Sequence, residues 1–237
     1  MNTNFTLIDE IQTNFKCREV QIQKIFHFLN IPNDKTDNIV VYGPRTTGKS
    51  TVLYSILTRF QVAYVWIDSL KYANTKLVYE SILRQTADMI TENYINEISY
   101  VNRDFCCQNF VVFFEKLTSL LEKFLDYLDE HSAMIKEPHE SKFCLVFDNF
   151  EHLIKNDNQD LCYVLKNLSS LMNSKISISI FYITQHSPEW FGRFYDFEMS
   201  CFEVVFNNYS NDELNIILSS AKISQSKLIY GLEFYQQ

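Results

Sequence analysis

Residues 38–57 read NIVVYGPRTTGKSTVLYSIL, and they leave the chain few folds to choose from. Ile39 to Tyr42 are a short strand rich in β-branched residues. Gly43 to Ser50 match G-x-x-x-x-G-K-[ST], and a helical pattern follows from Lys49 to Phe60. Each part of this loop has a physical reason. Glycine lets the backbone wrap, so that successive N–H groups face phosphate oxygens. The helix opening near Lys49 adds the positive end of its dipole. Lys49 is placed to reach β- and γ-phosphates, and the Ser50 hydroxyl to ligate Mg²⁺. A turn that merely joins a strand to a helix is the competing reading. The apolar strand before the loop and the amphipathic helix after it weigh against that. So does scarcity: the 237 residues hold only 4 glycines, and two of them stand at this spacing.

Hydrophobic periodicity places the remaining elements. Helices are expected over Arg18–Leu29, with Val20, Ile22, Ile25, Phe26 and Leu29 on one side, and over Thr75–Asn93, Asn109–Leu128 and Gln159–Met172. Further strands are expected over Val62–Ile67, Phe143–Phe147, Ile176–Ile183 and Phe202–Phe206. Ile31–Asn38, Asn96–Cys107 and Asp129–Lys142 read as irregular or exposed. Strands alternate with helices, which predicts an α/β fold with a five-stranded parallel sheet between helices. After Phe206, Ser210 and Glu213 form a capping box ahead of one short helix and a weaker second one. That predicts a nucleotide-binding domain over 1–207 and the start of a helical lid, incomplete, over 208–237.

In such sheets ligands collect at the carboxyl ends of strands. The stretch KFCLVFDNFEHL ends an apolar strand in Asp148, as expected of a carboxylate that holds Mg²⁺ through water. The next residue is Asn149, where P-loop ATPases of this architecture carry the glutamate that activates water. An amide holds a water but takes no proton, and losing a general base costs ~10²–10⁴ in rate. Hydrolysis is therefore expected to be slow or absent, and Asn149→Glu to raise it. Glu151 is expected to be a solvated or inter-subunit carboxylate, with a substitute base as the alternative. Thr184 ends the fourth strand and is a candidate γ-phosphate sensor, with Gln185 in competition. Arg193 is a candidate arginine finger acting on a neighbouring subunit, or a surface residue. His131, His139, His152 and His186 show no catalytic spacing.

The formal net charge of −8 argues against a domain that grips nucleic acid unaided. No apolar run is long enough to span a bilayer, and Met1–Glu10 is no secretory signal. Cys17, Cys106, Cys107, Cys144, Cys162 and Cys201 form no C-x-x-C and have no histidine at zinc spacing. They are expected to be reduced and mostly buried.

Several segments together resemble the AAA+ ATPase modules of the origin recognition complex, the fifth-subunit branch most of all. They are KCREVQIQKIFHFL, VVYGPRTTGKSTVL, VAYVWIDSLKY, CLVFDNFEHL, FYITQHSPEWFGRF and VVFNNYSNDEL, in that order, across about Phe15 to Leu218. The more specific parts are the C-R-E opening, the strand ending near Asp68 and the D-x-x-E-x-L form of the second acidic motif. The resemblance implies a P-loop NTPase of the AAA+ class that binds ATP with Mg²⁺ and hydrolyses it poorly. It implies a nucleotide site of Gly43, Pro44, Arg45, Thr46, Thr47, Gly48, Lys49, Ser50 and Thr51, with Asp148 and Thr184. Mg²⁺ would lie on Ser50 and Asp148, and adenine near Phe15–Arg18. It further implies a nuclear, hetero-oligomeric ring that encircles origin DNA and helps load the replicative helicase, with no membrane partner. The family continues into a complete lid and a winged-helix domain, whereas this sequence stops at Gln237. Two other classes compete. One is an active P-loop ATPase of another AAA+ or signalling group using Glu151 as base. The other is a small-molecule kinase, against which stands the lack of any arginine after Ser210.

Overall fold

The computed structural model describes residues 2–31, 38–93, 105–130, 142–155, 161, 164, 165, 168, 178–195 and 201–220. Its centre is one sheet of five strands: β1 (Asn38–Tyr42), β2 (Ala63–Asp68), β3 (Phe143–Asp148), β4 (Ile178–Thr184) and β5 (Cys201–Val205). All pairs are parallel, and the strand order is β2-β3-β4-β1-β5. Helices α1 (Asn2–Asn14), α2 (Glu19–Leu29) and α3 (Lys49–Arg59) precede β2, and a 3₁₀ turn (Ser69–Lys71) and α4 (Thr75–Asn93) follow it. Next come α5 (Phe110–Glu130), α6 (Glu151–Lys155), α7 (Pro188–Tyr195) and α8 (Asn211–Ser220).

Strands β1, β3 and β4 are near-continuous apolar runs because both faces are covered, while the edge strands β2 and β5 are only partly buried. Period-two alternation still sorts them. Ile39, Val41, Val146, Phe181 and Ile183 pack with α2 and α3, through Ile22, Ile25, Leu29, Val52 and Ile56. Val40, Val65, Leu145, Phe147 and Tyr182 pack in the other layer with α4 and α5, through Ile82, Leu83, Phe113 and Leu121. The crossovers run through helices, and that places all five carboxyl ends on one rim. Tyr42 pairs with Thr184 and Asp68 with Asp148, so the chemistry-bearing residues lie in a row there.

Several expectations need correction. Helix α1 was not anticipated: its sequence, NTNFTLIDEIQTN, is largely polar, and Ile11 is the residue it buries completely among its described side chains. Val20 is 61% exposed, not on the apolar face. At about 3.6 residues per turn it falls opposite Ile22, Ile25 and Leu29. Phe28 takes the buried place instead. Helix α5 runs on through Glu130, where a loop was expected from Asp129. Lys142 is buried, and its Nζ donates to Phe28 O at 2.9 Å, satisfying a terminal carbonyl of α2. Strands β2 and β4 end at Asp68 and Thr184, as expected. Residues 131–141, Cys162, the weak helix after Ser220 and most of Gln159–Met172 lie outside the described residues. Leu161, Val164, Leu165 and Leu168 of the last are helical and buried.

The five described cysteines form no disulfide, but of these only Cys107 and Cys144 are buried. Burial pushes the Cys144 thiol up to about 12, which leaves almost no thiolate at neutral pH. Brief iodoacetamide treatment of the folded protein should label exposed Cys106 and spare Cys144, as peptide mass spectrometry would reveal. No described helix is long and apolar enough to cross a membrane.

Candidate functional site

The loop after β1 is built from backbone conformations that glycine makes possible. Gly43 sits at φ 145 and Gly48 at φ 91, both in the positive region. Gly48 is the N-cap of α3 and makes no side-chain bond to its first turn. The other side of the loop is closed by the exit from β5. Phe206 N donates to Tyr42 O at 2.8 Å, and a Cβ on Gly43 would run into the Phe206 carbonyl, 2.9 Å from its carbon.

Lys49 lies along the loop, with Nζ donating to Gly43 O at 2.8 Å and Pro44 O at 2.6 Å. Burial lowers its pKa, and the carboxylates of Glu151 and Asp148 oppose that. Ser50 Oγ donates to Asp148 Oδ1 at 3.0 Å, joining the two motifs 98 residues apart. The Asp148 carboxyl is raised, chiefly by burial; Ser50 and the Asn149 N–H pull it down, and nearby Asp68 pushes it up. A hydroxyl and a carboxylate oxygen in contact are hard donors that suit Mg²⁺. With Arg45 and Thr46 they line a cleft of about 330 Å³ that also takes in Asn149, Glu151, Thr184 and Gln185. Thr51 is exposed on the first turn of α3 and is not among the residues lining the cleft.

The turn after β3 decides which carboxylate enters the cleft. Asn149 adopts φ 55, and its Nδ2 donates to Asp68 Oδ1 at 3.3 Å. Phe150 N bonds to Ile183 O at 3.0 Å, tying the turn to β4. Helix α6 then begins, and Glu151 turns back into the cleft with 2% exposure. This overturns the expectation of a solvated carboxylate. Gln185 Nε2 donates to Glu151 Oε1 at 2.8 Å, and Glu151 Oε2 is buried with no hydrogen-bond partner among the described residues. Thr184 is buried, its Oγ1 accepting from His186 N at 3.2 Å. His186 stacks on Trp190 at 4.1 Å, while His152 lines the cleft; His131 and His139 lie outside the described residues. Arg193 stands on α7, and its side chain lies outside the described residues.

Arg18 is the residue whose role the sequence reading missed. It is 2% exposed, with Nε donating to Thr47 O at 3.1 Å and Nη2 to Asn207 O at 2.8 Å. Its guanidinium lies 3.7 Å from the Tyr209 ring centroid, and the Tyr209 hydroxyl also reaches Thr47 O, at 3.4 Å. One arginine therefore joins the α1–α2 turn, the glycine loop after β1 and the connection from β5 to α8. The only trace of it in the sequence is the C-R-E opening.

A glycine-built loop at the end of β1, a lysine, and a serine on the aspartate of a strand two places away meet at the carboxyl rim of the parallel sheet in a P-loop arrangement. Solved structures with the same fold include a chain of the Drosophila origin recognition complex bound to DNA, with TM-score 0.62 and 17% identity. They also include the Aeropyrum pernix ORC2 protein in its ADP form (0.54, 11%) and a Walker-type ATPase of Pyrococcus abyssi (0.51, 15%). The matches cover 91%, 88% and 83% of this chain but only 49%, 53% and 55% of those chains, so this chain spans about half their length. No protein-family model and no curated protein matches the sequence. The likeness establishes that this chain shares the α/β fold of those chains.

Proposed function

We propose that the chain is an ATP–Mg²⁺-binding AAA+ subunit of an origin-recognition-type assembly, nearest to its fifth subunit, acting in the nucleus in replication initiation. The observation that carries the nucleotide reading is the Ser50–Asp148 contact at 3.0 Å beside Lys49, in a cleft on the carboxyl rim of the sheet. Lys49 would exchange its two loop carbonyls for phosphate oxygens. Ser50 and Asp148 would hold Mg²⁺, which when bound neutralises phosphate charge. Thr184 or Gln185 would meet the terminal phosphate, and Arg193 would serve a neighbouring subunit's nucleotide. Residues 1–207 would form the nucleotide-binding domain and 208–237 the start of the lid. DNA would be met through the complex, in keeping with the net charge of −8. Turnover is slow in this reading, because Asn149 takes no proton and faces Asp68.

Thermal melts with and without ATP–Mg²⁺ test the site. At ~100 times Kd the nucleotide should add about 2.7 kcal/mol, on the order of 5–10 °C. Lys49→Ala should remove most of that shift while leaving the nucleotide-free melt near its starting point. No shift in the intact protein with its partners present would refute the nucleotide reading. Affinity purification from the source cell tests the assembly: the other origin-binding subunits should come with it, and their absence argues for another AAA+ group.

A further inference from the structure

We propose that such turnover as occurs runs through Glu151, held in place by Gln185, and not through position 149. The inference rests on the nucleotide reading above. It starts from a cost. A buried carboxylate oxygen without a hydrogen bond is destabilising, and native structures keep few of them. Glu151 is 2% exposed, and its Oε2 has no such partner among the described residues. Its other oxygen is spoken for, since Gln185 Nε2 donates to Oε1 at 2.8 Å. One oxygen is anchored and the other, though buried, has no hydrogen-bond partner among the described residues, in a residue that lines the cleft with Lys49, Ser50 and Asp148. That is how a positioned proton acceptor is built: a neighbour fixes the group, and the free lone pair faces the reacting water.

In the reaction, Glu151 Oε2 takes the proton of a water whose oxygen bonds to the γ-phosphorus of ATP. The bond from that phosphorus to the oxygen bridging it to the β-phosphate breaks, and its electron pair leaves on the diphosphate. Gln185 is a positioning residue here. Asn149 is excluded by its φ of 55, which directs its amide to Asp68.

The test uses the protein purified with its partners. Glu151→Gln should keep the ATP–Mg²⁺ melting shift and lose turnover by ~10²–10⁴-fold. Without nucleotide, the same variant should melt close to the parent, because Gln185 can still donate to the amide oxygen. Gln185→Leu should lower kcat by ~10²-fold with KM unchanged, as expected of a misplaced catalytic group. A retained melting shift with turnover indifferent to Glu151→Gln overturns the proposal alone. Undetectable turnover in the unaltered complex does so too. Absence of any nucleotide shift in the unaltered protein overturns the nucleotide reading and this one together.

Discussion

Gly43→Ala should destabilise the fold by about 4 kcal/mol or more, the range reserved for a buried clash with no room to relax. The added Cβ meets the Phe206 carbonyl, which is backbone and not the mobile end of a side chain. Moving Phe206 away breaks its 2.8 Å bond to Tyr42 O, the link that carries β5 past the loop. The φ of 145 adds strain that any L side chain would meet. Nucleotide binding should fall with stability, because the same displacement shifts the carbonyl that holds Lys49. Chemical denaturation of the variant and the parent measures this directly, and a loss under 1 kcal/mol would show that the loop and Phe206 are not packed as described. Gly48→Ala is the comparison. Its nearest neighbour would be the Tyr209 hydroxyl at 3.6 Å, an ordinary contact, so conformational strain alone acts there and the loss should be smaller.

Arg18→Ala should cost ~3 kcal/mol, or roughly 6–12 °C in melting temperature. The substitution strips charged donors from the carbonyls of Thr47 and Asn207 and removes the stacking on Tyr209. Arg18→Lys should recover less than half, since one ammonium cannot match a planar fork that serves Nε and Nη2 partners at once. The effect should extend to the nucleotide: loss of the Thr47 anchor loosens the loop, so ATP–Mg²⁺ affinity falls although Arg18 is not among the residues lining the cleft. Calorimetric titration on variants still folded at the assay temperature separates the two losses. Unchanged affinity at reduced stability would make Arg18 a packing residue only.

Much of the fold could be read from local pattern. An apolar run, a glycine loop and a helix in that order admit few architectures, and the alternation of strands and helices supplied the parallel sheet. Asp148, Lys49 and Ser50 were legible because the motif places them by spacing along one chain. Helix α1 was not, because its stability comes from packing Ile11 against its neighbours and not from a strong apolar stripe of its own. Lys142 failed for a related reason: nothing in a charged loop sequence says that its last lysine will find the end of another helix.

The sequence by itself determined that this chain makes a P-loop on a parallel sheet, and that position 149 carries an amide and not a carboxylate. Only the tertiary structure decided which carboxylate faces the cleft. A left-handed turn at Asn149 sends that side chain to Asp68 and brings Glu151 round against Gln185, just past the end of a strand that the turn meets only after folding. The role of Arg18 was decided in the same way, by contacts with Thr47 and Asn207, 29 and 189 residues away. Spacing rules act over a few residues, whereas hydrogen bonds of this kind join groups that the chain brings together only when the sheet closes.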